Sequence, residues 1–313
     1  TSVGFELIDA RKFDEGEKLF LEALKLSDTS IQARNGLALL AFGRYESAIE
    51  ETEKNRFLEE SEKWATRVIE IDERDLIALR TLAAVAERRY RSADVLKWYR
   101  KAAEAGDSIS MAFLGIVYET GAGGVVKDEN EAVIWHRKAA EAGEPMGMHS
   151  LARMHVIGRG GITKSLSEAM KWFRKAADAG YPQSMVELGL YCEAGDFLDK
   201  NEVEAVMWFR KAAELDFAPG MYELARMYGS GRGGLTKNVT EAERLYRRSA
   251  EAGERRSMVS MGIIAQYGAA KNDVEAVNWY RKALAAGEVS AARYMGNMYR
   301  LGAGGLPKDP EQA

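Results

Sequence analysis

Apolar residues recur along this chain at spacings of three and four, with charged residues in the intervals, so most segments read as amphipathic helices. One such helix returns at a fixed step. Its register is marked by Trp98, Trp135, Trp172, Trp208, Leu245 and Trp279, separated by 37, 37, 36, 37 and 34 residues. A constant period of this size is the pattern of a stacked array, in which each unit buries its apolar face only against its neighbours. The predicted architecture is an all-α stack of antiparallel helix pairs.

From Asp107 onward each repeat reads as a helix, a glycine loop, a second helix and a turn. The first helix carries a column of Leu114, Leu151, Leu188, Leu224, Met261 and Met295, each followed by Gly or Ala. A methionine stripe lies three residues earlier. Small residues beside a leucine column predict close helix packing rather than a methionine-lined groove. The second helix opens with Asp128, Ser165, Asn201, Asn238 or Asn272, each three residues before a glutamate, which is the spacing of a capping box. It closes at Ala-Gly, where glycine can take a left-handed cap. Asp216 stands in the fourth copy where that glycine would be, so a different exit turn is expected there.

Residues 1–106 carry a looser version of the pattern. Val3–Ala10 and Asp14–Leu26 form a short pair. Ile31–Phe42 is a further helix, closed by Gly43. One long helix is expected over 45–71, with a break near Asn55 as the alternative. Asp75–Arg88 and Arg91–Ala105 make the next pair. The chain is expected to form one continuous solenoid, with 1–106 and 107–313 as its two segments and a longer native protein on either side.

These residues carry a family likeness. The stretch RYRSADVLKWYRKAAEAGD and the segment before it resemble tetratricopeptide repeats. Residues 107–313 resemble Sel-1-like repeats: small-Met-x-x-Leu-Gly-x-x-Tyr, then Gly-x-Gly-Gly-x-x-Lys-Asp, then Glu-Ala-x-x-Trp-Tyr-Arg-Lys-Ala-Ala-Glu-Ala-Gly, in five full copies and a partial sixth. Departures are local: the loops after Gly195 and Gly268 are short, and His155, Cys192 and Ala265 replace the tyrosine of that column. The resemblance implies a right-handed α-α superhelix whose first helices line a concave surface. It implies a non-enzymatic adaptor that binds a protein or peptide. Two other roles are known among similar proteins: a periplasmic structural component of an exopolysaccharide export complex, and an immunity protein that binds a secreted toxin enzyme. A periplasmic or cell-envelope location follows from the same likeness, with room for a lipid anchor ahead of Thr1.

Composition narrows the chemistry further. With 44 basic and 48 acidic residues and a net charge of -4, no broad cationic field exists to hold nucleic acid. No apolar run reaches the roughly 18 residues of a membrane span. Cys192 is the single cysteine and sits in the tyrosine column, where a buried small residue is expected. Gly161-Ile162-Thr163-Lys164-Ser165 lacks the glycine before lysine, and the strand before the loop, that a phosphate loop needs. His149 and His155 are six residues apart and do not share a helix face. His136 and His155 stand in aromatic columns and read as packed substitutes. No cofactor, metal or catalytic set is expected.

The candidate interaction residues are those that vary around the leucine column while their neighbours stay fixed. They are Phe113, Ile116, His149, Arg153, Glu187, Leu190, Tyr222, Glu223, Arg226, Ile263, Arg293 and Tyr294. Their spacings put them on one face of the first helices, opposite the packed columns. Tyr and Arg are the residue types that dominate binding hot spots. Removing Tyr222 and Arg226 together is expected to weaken binding and leave melting unchanged.

Overall fold

The computed structural model describes residues 2–9, 11–195 and 200–309. Among them are seventeen α-helices and no strand. The helices are α1 (Ser2–Asp9), α2 (Phe13–Leu26), α3 (Ile31–Ser47), α4 (Glu51–Ile69), α5 (Leu76–Arg88) and α6 (Ser92–Glu104). The regular repeats supply α7 (Ser108–Thr120), α8 (Glu129–Glu141), α9 (Pro145–Ile157), α10 (Leu166–Asp178), α11 (Pro182–Ala194) and α12 (Glu202–Glu214). They continue with α13 (Ala218–Ser230), α14 (Val239–Glu251), α15 (Arg255–Tyr267), α16 (Asp273–Ala285) and α17 (Ser290–Leu301). Ala10, the expected end of the first helix, lies outside the described residues, as do the middle of the loop after Gly195 and the final Pro310–Ala313.

The chain divides into two compact units, residues 1–169 and 170–313. Within each, consecutive helices pack on one another, and first helices also touch the first helices of the next pair, as α3 does α5, α7 does α9 and α11 does α13. The fold class is the all-α helical solenoid that the periodicity predicts.

The small residue after each leucine has a specific partner. In α7, α11 and α15, Gly115, Gly189 and Gly262 lie so close to the rings of His136, Phe209 and Tyr280 that no β-carbon would fit. Those rings belong to the residue after the tryptophan column and are fully buried. The tryptophans themselves sit further out, each with a lysine ammonium over its ring, as Lys138 over Trp135 at 4.1 Å and Lys211 over Trp208 at 4.3 Å. The column is therefore packing and surface cover, and His136 is the packed aromatic substitute its position predicts.

All five cap residues accept a hydrogen bond from the backbone N–H of the expected glutamate, for example Glu204 N to Asn201 Oδ1 at 3.0 Å and Glu168 N to Ser165 Oγ at 3.3 Å. The second half of the capping box is replaced. Each cap N–H donates instead to the carbonyl of the tyrosine-column residue in the preceding helix, as Asp128 N to Tyr118 O at 3.0 Å and Asn238 N to Tyr228 O at 2.9 Å. The glutamates Glu131, Glu204 and Glu275 accept the indole N–H of Trp135, Trp208 and Trp279 at 3.2–3.3 Å. One acid thus ties the helix start to its tryptophan, and the cap ties the loop to the helix before.

Two expectations are corrected here. The single helix over 45–71 does not form: α3 runs through Gly43 to Ser47, Ala48 and Glu50 are extended, and α4 starts at Glu51. Gly43 does not end a helix because it meets a ring, with a β-carbon there lying 3.0 Å from Phe13 Cε1. The break comes where Ile49 is exposed and has no apolar face to bury. Neither is the break at Asn55, which lies inside α4. The second correction is Asp216, which adopts φ 54° and keeps the exit turn of the glycine copies. Its N–H donates to Ala213 O and that of Phe217 to Ala212 O, both at 3.1 Å, matching Gly143 to Ala140 and Glu144 to Ala139. An Asp side chain tolerates the left-handed region better than most residues, and Arg248 pairs with it there.

The glycine loops act as seats on the second helix of the preceding pair. A β-carbon on Gly233, at φ 63°, would lie 2.5 Å from both Glu202 O and Val206 Cγ2. Gly233→Ala is expected to destabilise by at least about 1–2 kcal/mol from its backbone conformation alone. The clash adds to that. Gly234→Ala, beside it, shares the left-handed strain but meets only Val203 Cγ2 at 3.7 Å and should cost less. Thermal melting of the two variants side by side checks the difference.

Candidate protein-interaction surface

In the first unit the first helices build a groove. Phe5 of α1, Leu39 and Phe42 of α3, Ile77, Arg80, Thr81 and Ala84 of α5, Tyr99 of α6 and Phe113 of α7 line a cleft of about 390 Å³. Helical spacing explains the set, since 77, 80, 81 and 84 share a face, as do 39 and 42. The Phe113 ring stacks on Tyr99 with centroids 5.6 Å apart and planes 16° from parallel. Tyr99 is buried and its hydroxyl donates to Glu87 Oε2 at 3.3 Å. Burial, reinforced by that carboxylate, pushes the Tyr99 phenol well above its ordinary range, and burial raises the Glu87 carboxyl. Arg80, in the lining, stands 3.8 Å from Asp107, and Arg88 lies over the Phe42 ring at 5.8 Å.

Of the expected face residues in this unit, Phe113 and Ile116 are half-buried, His149 is half-buried and Arg153 is exposed. The His149 imidazole is pushed down to about 4, first by burial and then by the Arg153 charge, so it is neutral at neutral pH.

The second unit presents a different surface. Tyr222 packs on Tyr246 with centroids 5.7 Å apart and lies under the Arg256 guanidinium at 4.3 Å. Arg226 donates to Glu193 and, at 2.9 Å, to Glu223. Glu223 also receives Arg256 at 3.1 Å, and Glu193 receives Arg232 at 2.8 Å. Hydrogen bonds from Arg226 hold the Glu193 carboxyl below its usual range, and those to Glu193 raise the Arg226 guanidinium. Tyr294 stacks on Tyr280 at 5.2 Å with Arg293 over its outer face at 4.9 Å. Glu187, Leu190 and Ile263 are half-buried, the last in the cluster around Val259 and Tyr280.

The open strip is narrower than the spacing suggested. Glu223 is 3% exposed, and in the column two before the leucine Ala112, Val186 and Val259 are buried. The cause is lateral: first helices pack against one another, as α7 on α9 and α11 on α13, and only the position two after the leucine stays at least partly open in every copy, at Ile116, Arg153, Leu190, Arg226, Ile263 and Asn297. Arg226 is committed to two carboxylates of its own chain, so its removal is no longer expected to leave melting unchanged. The groove residues of 1–106 were missed because the repeat columns were followed only from residue 107. Their three-and-four spacing on α3 and α5 was the available signal.

Reactive chemistry is sparse. Cys192 is buried, and burial pushes its thiol up to about 11. His136 Nε2 lies 3.4 Å from Glu119 Oε2 beneath Gly115, a packed position closed to substrate. Among the described residues no group of three His, Cys, Asp or Glu side chains could hold a metal ion, and no helix is long and apolar enough to cross a membrane.

Paired helices with an open strip along the first of each pair define a helical-repeat protein of the kind that generally mediates protein–protein interaction and is generally non-enzymatic. The Sel1 repeat matches residues 96–107, 108–144, 145–181, 182–217, 218–254, 256–288 and 289–313, and the chain belongs to that family. The chain is similar to a solved Sel1 repeat protein from Oxalobacter formigenes, at 28% identity and a TM-score of 0.68, covering 76% of this chain and 96% of that one. It is also similar to c5321, a protective antigen of uropathogenic Escherichia coli with the same repeat fold, at 29% identity and a TM-score of 0.62. That match covers 95% of this chain and 62% of the antigen, so the chain spans less than two thirds of its length. No curated protein matches the chain.

Proposed function

We infer that this chain is a non-enzymatic scaffold that takes a protein segment on its first-helix face, with the apolar groove of the first unit as the principal anchor site. The observation that carries this is the groove itself. Phe5, Leu39, Phe42, Ile77 and Phe113 leave apolar surface open around a cleft of about 390 Å³. Exposed apolar surface gathered in one place, rather than scattered, is a mark of interaction sites. Arg80 in its lining and Arg88 over Phe42 favour a segment that pairs apolar side chains with carboxylates. In the second unit the charges are largely neutralised among themselves, which makes that surface the weaker anchor.

The test is retention of proteins from the source organism's extract on immobilised chain, beside Leu39→Glu/Ile77→Glu. Both positions are only half-buried, so the variant should keep its helicity while losing at least tenfold of partner retention. Retention equal to the parent chain, with the variant folded, sinks the assignment of the anchor to this groove.

A further inference from the structure

Four glycine loops of this chain show what normally covers the shoulder of a second helix. A β-carbon on Gly123, Gly160, Gly233 or Gly304 would lie 2.8, 2.5, 2.5 or 2.6 Å from Cγ2 of Val95, Val133, Val206 or Val277. Each loop therefore rests its backbone on a valine. Two residues on, an aliphatic side chain follows: Val125, Ile162, Leu235 or Leu306, of which Val125 and Leu306 are buried. In two loops an arginine reaches the acid at the helix start, Arg232 to Glu202 at 2.5 Å and Arg159 to Glu129 at 3.7 Å.

The shoulder of α14 has no such cover. The connection between α15 and α16 is short, Gly268 to Asn272, and carries neither the paired glycines nor the aliphatic residue. The valine is gone too, since the equivalent position is Glu243. A cavity of about 470 Å³ is left, with Val239, Met261, Ile264 and Ala265 in its walls and Glu243, Arg247 and Glu275 at its rim. Val239 is 57% exposed there. Arg247 stands between two carboxylates, 3.3 Å from Glu243 and 3.5 Å from Glu275, so one negative charge is uncompensated. Arg244, on the same helix, is occupied by Glu241 at 2.6 Å.

We propose that this cavity docks a glycine turn of another protein, one carrying adjacent glycines, a following aliphatic side chain and a neighbouring basic residue. The chemistry is that of the chain's own Gly231-Arg232-Gly233-Gly234-Leu235. The glycines bring backbone close to the helix, the aliphatic residue fills the apolar wall, and the basic residue meets the Glu243/Glu275 pair. A second copy of this chain is the poorer donor, because its four glycine loops are already seated on their own helices.

The probe is a labelled, backbone-cyclised peptide containing Gly-Arg-Gly-Gly-Leu-Thr-Lys, titrated against the full chain by fluorescence polarisation. Saturable binding is expected. It should weaken at least tenfold when the peptide arginine becomes glutamate. It should weaken as much in Ala269→Trp, which fills the cavity from an exposed position, and in Glu243→Lys, which reverses the rim. Melting of each variant confirms that it is folded. Absence of saturable binding at millimolar probe overturns the proposal, as does binding that neither folded variant changes. Sedimentation that shows the parent chain self-associating, and Ala269→Trp monomeric, would hand the cavity to a second copy and overturn the assignment to another protein.

Discussion

Phe209→Ala is expected to destabilise the chain by about 3–5 kcal/mol, the cost of truncating a fully enclosed aromatic residue. Phe209 is 0% exposed and its ring lies against the backbone of α11 at Gly189, where no β-carbon fits. Truncation opens a void between α11 and α12 that neither helix can close, because α12 is also held by α13. Denaturant unfolding should show a lower midpoint. In an array of nearest-neighbour contacts the loss is local, so an earlier transition belonging to the damaged repeats should separate from the main one. Met207→Ala, at an exposed position of the same helix, should stay within about 0.5 kcal/mol. A loss below about 1 kcal/mol in Phe209→Ala would mean that the ring-on-glycine contact is not what joins the helices of a pair.

Arg226→Ala is expected to cost about 2 kcal/mol at neutral pH. Removing one partner of a buried ion pair costs more, about 3–5 kcal/mol, but the Arg226 side chain is 32% exposed and solvent screens part of the effect. The remaining carboxylates keep Arg256 and Arg232, which limits the loss further. The pH dependence gives a second reading of the same cluster. Hydrogen bonds from Arg226 hold the Glu193 carboxyl below its usual range in the folded chain. A depressed folded value means that the stabilisation is present above the ordinary carboxylate range, near about 4.3, and is lost as pH falls through the folded value. The melting temperature should therefore drop on acidification below about pH 4, and the drop should be shallower in Arg226→Ala. Arg226→Lys should rescue little, because an ammonium cannot pair two carboxylates in the planar fork geometry of a guanidinium. A melting curve unchanged by Arg226→Ala would contradict the reading of this cluster as internal support.

The repeat step, the helix pairs and the five caps were legible because one local rule is written several times over, and each copy checks the others. The small residue after each member of the leucine column was legible as packing for the same reason. What escaped were features set by contacts distant in sequence. Gly43 looks like a helix stop until Phe13 is known to lie against it. Asp216 looks like a broken turn until Arg248 is seen beside it. The capping-box spacing assigns the cap glutamates to backbone amides, but in three of the five copies the indole of their own helix takes them. For the candidate interaction face, spacing gave a set of positions on the first helices but not the width of the open strip. That width depends on how closely the neighbouring first helices approach, which no single helix records. Phe113 was found by its column, whereas Leu39, Phe42 and Ile77 lie in copies too diverged for the column to reach.

Site-specific photo-crosslinking tests the scaffold reading most directly. A photoreactive phenylalanine at position 77, in the groove of the first unit, is compared with one at position 134, where Ile134 faces solvent on α8. In extract of the source organism, a discrete crosslinked protein at position 77 and none at 134 is the expected result, with the crosslink abolished by Leu39→Glu. A crosslink at 134 with none at 77 would place the working surface on the second helices and contradict the assignment of the groove.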